Sequence, residues 1–291
     1  MTIRIIPRLD IKGPNLVKGI HLEGLRVLGK PERFAKYYYE SGADELMYCD
    51  VVASLYGRNT LTEIIKRTAE EVFIPITVGG GIRTIDDIKT VLRAGADKVS
   101  LNTAVINRPA LVSEAANRYG SSTIIVSIEA IKIPNGSYEA YTDNGRESTG
   151  VDAVEWAIRA SELGAGEILV TSIDREGTGT GFDVDLIQAI SSNVSVPVIA
   201  SGGAGEITHI HEVLDQCDVG AVTVGSMLHY GAMTLIETVA GEYSSEGNTQ
   251  YLQSGKMPSI RSVATIEEIK LQLTQAGIEC RQVERGDLVV G

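Results

Sequence analysis

The sequence predicts a single (β/α)8 barrel of the TIM-barrel class, occupying residues 1–291 and built from two similar halves. Three observations predict it. Eight short apolar, β-branched runs alternate with amphipathic stretches, the texture of parallel strands joined by crossover helices. The chain repeats itself at an offset of about 120 residues. At 291 residues and 43% hydrophobic content, it has the length and the apolar supply for one large core.

The strand runs are, in order, RIIPRL, ELMYC, IPITV, KVSL, TIIVSI, EILVTS, VPVIAS and GAVTVG. Val, Ile and Leu dominate most of them, as expected of strands covered on both faces. Between them, PERFAKYYYES, TIDDIKTVLRAG and AVEWAIRASELG carry apolar residues at three- and four-residue intervals, one stripe turned to a core. Trp156, the single tryptophan, lies on such a stretch and is expected to pack beneath the outer layer. The repeat is explicit. GADELMYCD at 42–50 returns as GAGEILVTS at 164–172, Pro75 falls onto Pro197, and the Gly80-Gly81 pair onto Gly202-Gly203. Asn102-Thr103 falls 123 residues before Gly225-Ser226, and Asp10 falls 119 before Glu129. Twofold repetition over the full length favours a closed barrel over an open sheet. Residues 241–262, polar and rich in Gly and Ser, read as an irregular insertion, after which ATIEEIKLQLTQAGIECR resumes as a helix with a short extended end.

The charge balance excludes some functions. With 26 basic and 38 acidic residues the net charge is −12, which argues against a nucleic-acid surface. It leaves a phosphorylated substrate open, because amides at helix starts bind phosphate whatever the net charge. No apolar run approaches the roughly 18 residues of a membrane span, and the N-terminal MTIRIIPRLD lacks a signal-peptide pattern. A cytoplasmic protein is the expectation. Cys49, Cys217 and Cys280 lie far apart, fit neither a zinc site nor a disulfide framework, and are expected to be small buried residues.

Barrel chemistry sits where strands end and helices begin. Four glycine or small-residue turns fall there: VGGGI at 78–82 with Asn102-Thr103, and SGGAG at 201–205 with Gly225-Ser226. Related by the internal repeat, they suggest a phosphate cradle on each side of the mouth and a substrate phosphorylated at both ends. Their spacing lacks the dinucleotide fingerprint. Asp10 ends the first strand and Glu129 the fifth, so two carboxylates can face each other and divide acid and base work. The plainer alternative is that each caps a turn or pairs with Lys12 or Lys132. The four histidines, His21, His209, His211 and His229, are scattered, and a metal-independent reaction is expected. At the opposite end Arg4, Glu45, Lys98 and Glu167 start strands one, two, four and six. Pointing inward, they would form a ring of alternating sign: either a structural salt-bridge cluster or a polar gate for something small.

VGGGIRTIDD, GADKVSLNTA, GAGEILVTSIDREGTGTGFD and IASGGAG resemble the signatures of the cyclase subunit of imidazole glycerol phosphate synthase, and the resemblance runs from residue 3 to about residue 282. It implies a barrel with no cofactor, on whose floor a glutaminase subunit docks and releases ammonia. The ammonia passes through the barrel to a bis-phosphorylated ribulosyl intermediate of histidine biosynthesis. The products are imidazole glycerol phosphate and an aminoimidazole carboxamide ribotide. It further implies that Asp10 and Glu129 are the acid–base pair and that Arg4, Glu45, Lys98 and Glu167 form an ammonia gate. Lys18 would be a substrate-organising loop lysine; Gly81, Asn102, Thr103, Gly177, Gly203, Gly225 and Ser226 would hold the phosphates.

The chain departs from the family pattern in places. Glu129, Glu176 and Leu28 stand where aspartate is usual, Arg8 stands where cysteine is usual, and residues 241–262 are extra. A carboxylate moved by one methylene matters, since a misplacement of about 1 Å can cost on the order of a hundredfold in rate. Two alternatives stay open: a relative that channels ammonia to amidate a sugar in surface-polysaccharide synthesis, and a half-barrel phosphosugar isomerase.

Overall fold

The computed structural model describes residues 2–53, 61–236 and 262–282; the expected insertion at 241–262 lies outside them apart from Ser262. The first half begins with β1 (Arg4–Lys12), which runs on into a hairpin of β2 (Asn15–Ile20) and β3 (Glu23–Gly29). There follow α1 (Pro31–Glu40), β4 (Leu46–Asp50), α2 (Thr62–Glu71), β5 (Ile76–Gly79), α3 (Ile85–Arg93), β6 (Lys98–Leu101), α4 (Thr103–Asn107) and α5 (Ala110–Tyr119). The second half starts in the same way: β7 (Ile124–Lys132) runs into a hairpin of β8 (Tyr138–Thr142) and β9 (Glu147–Asp152). It continues through α6 (Ala153–Glu162), β10 (Glu167–Ser172), α7 (Val184–Ser191), β11 (Val198–Ser201), α8 (Ile207–Gln216), β12 (Ala221–Val224), α9 (Ser226–Ala232) and α10 (Ile266–Gln275).

Among the described residues, eight parallel strands close a barrel in the order β1, β4, β5, β6, β7, β10, β11, β12 and back to β1. All eight of the expected strand runs are present. Helix starts are fixed locally: Pro31 opens α1, and capping boxes formed by Thr84 with Asp87 and by Thr265 with Glu268 open α3 and α10. Trp156 is buried between sheet and helices, as are Cys217 and Cys280. Cys49 differs: it is half-buried and faces the barrel mouth.

The stretch after Asp10, expected as a loop, forms a hairpin, and β8 and β9 form a second one after Glu129. In the first, His21 and Leu22 make the turn with positive φ, a conformation their residue types do not announce. In the second the signal was present, since Asn135-Gly136 and Asn144-Gly145 are Asn-Gly pairs, the commonest tight-hairpin residues. Leu28 is fully buried on β3 and is part of the main core.

At the floor the two ends of the described chain meet. Ile3 bridges Cys280, and the Lys270 ammonium donates to the carbonyls of Gly42 (2.8 Å) and Arg281 (3.0 Å) and to Asp44 Oδ1 (2.6 Å). The other oxygen of Asp44 accepts the backbone N–H of Ile5 at 2.8 Å. No helix among the described residues is long and apolar enough to cross a membrane.

Candidate active site

Strand alternation turns every second residue of each barrel strand into the lumen. On β1 these are Arg4, Ile6, Arg8 and Asp10, so one strand contributes to every level from floor to mouth. At the floor Arg4 meets Glu45 at 2.9 Å and Glu167 at 2.5 Å. Lys98 meets the same two carboxylates at 3.0 and 3.1 Å, and Thr77 donates to Glu45 at 2.5 Å. Two cations and two anions thus satisfy one another, which offsets the desolvation that burial imposes. Above this ring Ile6, Met47, Ile125, Leu169, Ile199 and Ala221 form an apolar cluster of their own.

Above the apolar layer lies Arg8, 5% exposed and reaching across the lumen. Its Nε donates to Asp10 Oδ1 at 3.0 Å, and its NH1 donates to Thr171 and Ser201 at 3.3 Å each. Its carbonyl lies 2.8 Å from His229 Nε2, while His229 Nδ1 lies 2.6 Å from the Tyr38 hydroxyl. A carbonyl only accepts, so His229 donates through Nε2 and receives the Tyr38 proton at Nδ1, the neutral form. Burial first, then the Lys18 charge, pushes His229 down to about 4, in keeping with that neutral ring.

The two mouth carboxylates share their level but not their surroundings. Asp10 lies between Arg8 and Lys18, the latter at 3.4 Å. Burial pushes its carboxyl up, but the two cations outweigh burial and hold it below its ordinary value. Glu129 receives the Asn102 amide at 3.2 Å. Burial dominates there and raises its pKa to about 7, against an opposing pull from Arg8. Lys18 forms an ion pair with Glu176, and its pKa is raised because Glu176 and Asp10 outweigh its burial. Neither Lys12 nor Lys132 serves as a partner of these acids: Lys132 pairs with Asp185 at 3.2 Å.

Two clefts flank this pair. The first is lined by Gly79–Gly81, Asn102, Thr103 and Glu129 and reaches down to Met47 and Leu169. The second, narrower, is lined by Lys18, Glu176, Gly177, Gly203, Gly225 and Ser226. Glycine is required at the floors of both. A Cβ on Gly80 would lie 2.2 Å from the Asp50 carbonyl, and one on Gly203 would lie 2.0 Å from that of Gly181. The structure therefore brings Gly81, Asn102 and Thr103 together on one side, and Gly177, Gly203, Gly225, Ser226 and Lys18 on the other. Glu129 lines the first cleft, and Asp10 is held by Arg8 and Lys18, which line the second. Sequence reading did not place Arg8 or Glu176 in the site. Period-two alternation in RIIPRLD was the available signal for Arg8, because it puts Arg8 on the Asp10 face. Nothing local marked Glu176, whose partner Lys18 is 158 residues away.

A closed parallel barrel with two buried acids at its mouth, clefts beside them and a charged floor has the build of a barrel enzyme. Residues 4–234 match the family described as histidine biosynthesis protein, and the chain belongs to that family. Among curated relatives, "Imidazole glycerol phosphate synthase subunit HisF" of Legionella pneumophila is 62% identical over 205 residues, covering 70% of this chain and 97% of the relative. The protein of the same name from Streptomyces griseus is 47% identical over 237 residues, covering 81% of this chain and 94% of that one.

Proposed function

We propose that this chain is the ammonia-using cyclase subunit of an imidazole glycerol phosphate synthase. On this reading it takes glutamine-derived ammonia from a glutaminase partner. It converts the bis-phosphorylated ribulosyl aminoimidazole carboxamide intermediate into imidazole glycerol phosphate and an aminoimidazole carboxamide ribotide. One observation carries the reading: charged ring, apolar layer and acid pair are stacked along one axis, with an anion cleft on each side of the top. Barrels normally fill that layer with Val, Ile or Leu, and a floor of paired charges under an apolar layer suits the entry of a small polar molecule from below. Arg4, Glu45, Lys98 and Glu167 then act as an ammonia gate, and the partner docks against that face. Phe73, 76% exposed beside Tyr39 where the chain enters β5, offers an apolar anchor there.

The electrostatics support a division of roles between the two acids. Ammonia adds to the substrate ketone, and the resulting carbinolamine loses water to give an imine. That loss needs a proton on the departing oxygen, and Glu129, poised near neutrality, supplies it. Asp10, held ionised, accepts a proton from that nitrogen as it attacks the amidine carbon and closes the ring; the bond from this carbon to the ribotide's amine breaks, and the protonated amine leaves as the aminoimidazole carboxamide ribotide. The clefts at Gly81, Asn102 and Thr103, and at Gly177, Gly203, Gly225 and Ser226, hold the two terminal phosphates, with Lys18 positioned over the second. The chemistry requires no cofactor, and the reading carries a cytoplasmic location with it.

The test supplies ammonium salt and the bis-phosphorylated intermediate and follows its disappearance. Mixing with the glutaminase from the same cell should raise glutamine hydrolysis. A second reading, amidation of a sugar with channelled ammonia, is favoured by Arg8, which occupies the space just under the acid pair. Glutaminase stimulation with no turnover of the histidine intermediate would select it. Absence of both activities would remove the ammonia reading altogether.

A further inference from the structure

The geometry points to Arg8 as a deflector: it closes the upper lumen on the side of β10, β11 and β12, and delivers ammonia rising through the barrel into the Glu129 cleft alone. This rests on the ammonia reading above and adds a direction to it. Among the described residues Arg8 alone lines both clefts, so it is the wall between them. The clefts differ in depth. The Glu129 cleft touches Met47 and Leu169 of the apolar layer, whereas the other ends on Ser201 and Thr223 and touches no residue of that layer. A molecule leaving the apolar layer therefore finds an open space on one side and a guanidinium on the other.

The wall is built to stay. Arg8 is tied to Asp10 on its own strand and to Thr171 and Ser201 across the lumen, and His229 holds its carbonyl. The side chains sharing its level, Ser100, Ser127, Thr171, Ser201 and Thr223, are all small. Only a long side chain from one strand can span such a ring, and only one position on it carries such a chain. A guanidinium with a carboxylate partner and hydroxyl acceptors fills that space without being left unsatisfied. The consequence is that the carbon receiving nitrogen lies on the Glu129 side of Arg8, and that the Asp10–Lys18–Glu176 side is sealed from the ammonia route.

The test separates bulk from charge in the complex with the glutaminase from the same cell. The readout is product formed per glutamine hydrolysed. Wild type and Arg8→Met, which keeps length but not charge, should remain stoichiometric. Arg8→Ser, which opens the wall, should lose stoichiometry as ammonia escapes through the second cleft. Unchanged stoichiometry in Arg8→Ser, or an equal loss in Arg8→Met, would overturn the proposal. If the variants turn over too slowly for a ratio, xenon-pressurised crystals of the chain decide instead. Xenon should contact Met47 and Leu169 in wild type and extend to Thr223 only in Arg8→Ser. Xenon beside Thr223 in wild type, or no extension in Arg8→Ser, would refute the wall. That arm uses neither substrate nor partner, so failure of the cyclase reading in its own assay is told apart from failure of the deflector.

Discussion

The two halves of the barrel match in their acids and differ in their bases. Asp10 and Glu129 occupy equivalent positions at the mouth, and Glu45 and Glu167 occupy equivalent positions at the floor. The cations that meet them, Arg4, Arg8, Lys18 and Lys98, all belong to the first half. At the internal offsets of 119 and 123, the second half has Thr123, Ser127, Ser137 and Ala221 in their places. A duplicated barrel starts with two identical acids and needs them unlike. Adding cations to one side achieves this: Arg8 and Lys18 lower Asp10, while Glu129, met by an amide, is left to its burial and rises to about 7.

Removing either acid is the harshest way to test that division. Asp10→Asn and Glu129→Gln should each lower turnover with ammonium salt by on the order of 10²–10⁴-fold, the usual share of a general acid or base. Steady-state assays on the bis-phosphorylated intermediate measure it, and near-normal turnover in either variant would take that residue out of the mechanism. At the floor the two glutamates are equivalent by position but not by environment. Glu45 is met by Arg4, Lys98 and Thr77 and is almost fully enclosed, whereas Glu167 retains some contact with solvent. Glu45→Gln should cost on the order of 3 kcal/mol in urea unfolding at pH 7, and Glu167→Gln less. The reverse order would show that position outweighs environment.

Glu129→Gln has a second consequence. In the unfolded chain this carboxyl titrates near 4.5 and in the folded chain near 7. Between those values the folded state binds more protons, so the group's contribution to stability falls as pH rises and is fully unfavourable above 7. Glu129→Gln should therefore be more stable than wild type at pH 8, by on the order of 1–3 kcal/mol, with little gain at pH 4. A gain that is equal at both pH values would point to packing instead of charge. The smallest effect concerns Arg8→Met. Arg8 pulls both acids down, so its loss should move the pH profile of ammonia-dependent turnover to higher pH, by about one unit. An unmoved profile would mean that the mouth does not feel this charge.

The barrel was legible because each strand is a short β-branched run and each helix an apolar stripe, and because the repeat ties one half to the other. The Asn-Gly turn at 144–145 is as readable as any strand, and Tyr138–Thr142 before it alternates buried with half-buried positions. The acids and glycines were legible for a different reason, since they recur at fixed offsets. Arg8 and Glu176 do not recur. They stood out as departures from a family pattern, but their contacts cross the lumen, and no local spacing reports a distance from β1 to β10. The partners of Asp10 show the same limit. Lys12 was the near candidate in sequence, whereas Lys18 is carried over the mouth by a hairpin that sequence reading had left as a loop.

The seam at the bottom of the barrel makes the last helix part of the working machinery. Lys270 is clasped by Gly42 and Asp44, Asp44 grips the amide of Ile5, and Ile5 follows directly on Arg4. A chain shortened before Ala264 would leave the first strand unmoored at its lower end, and the damage would surface first as a leak beneath the barrel, well before the upper rim lost its shape.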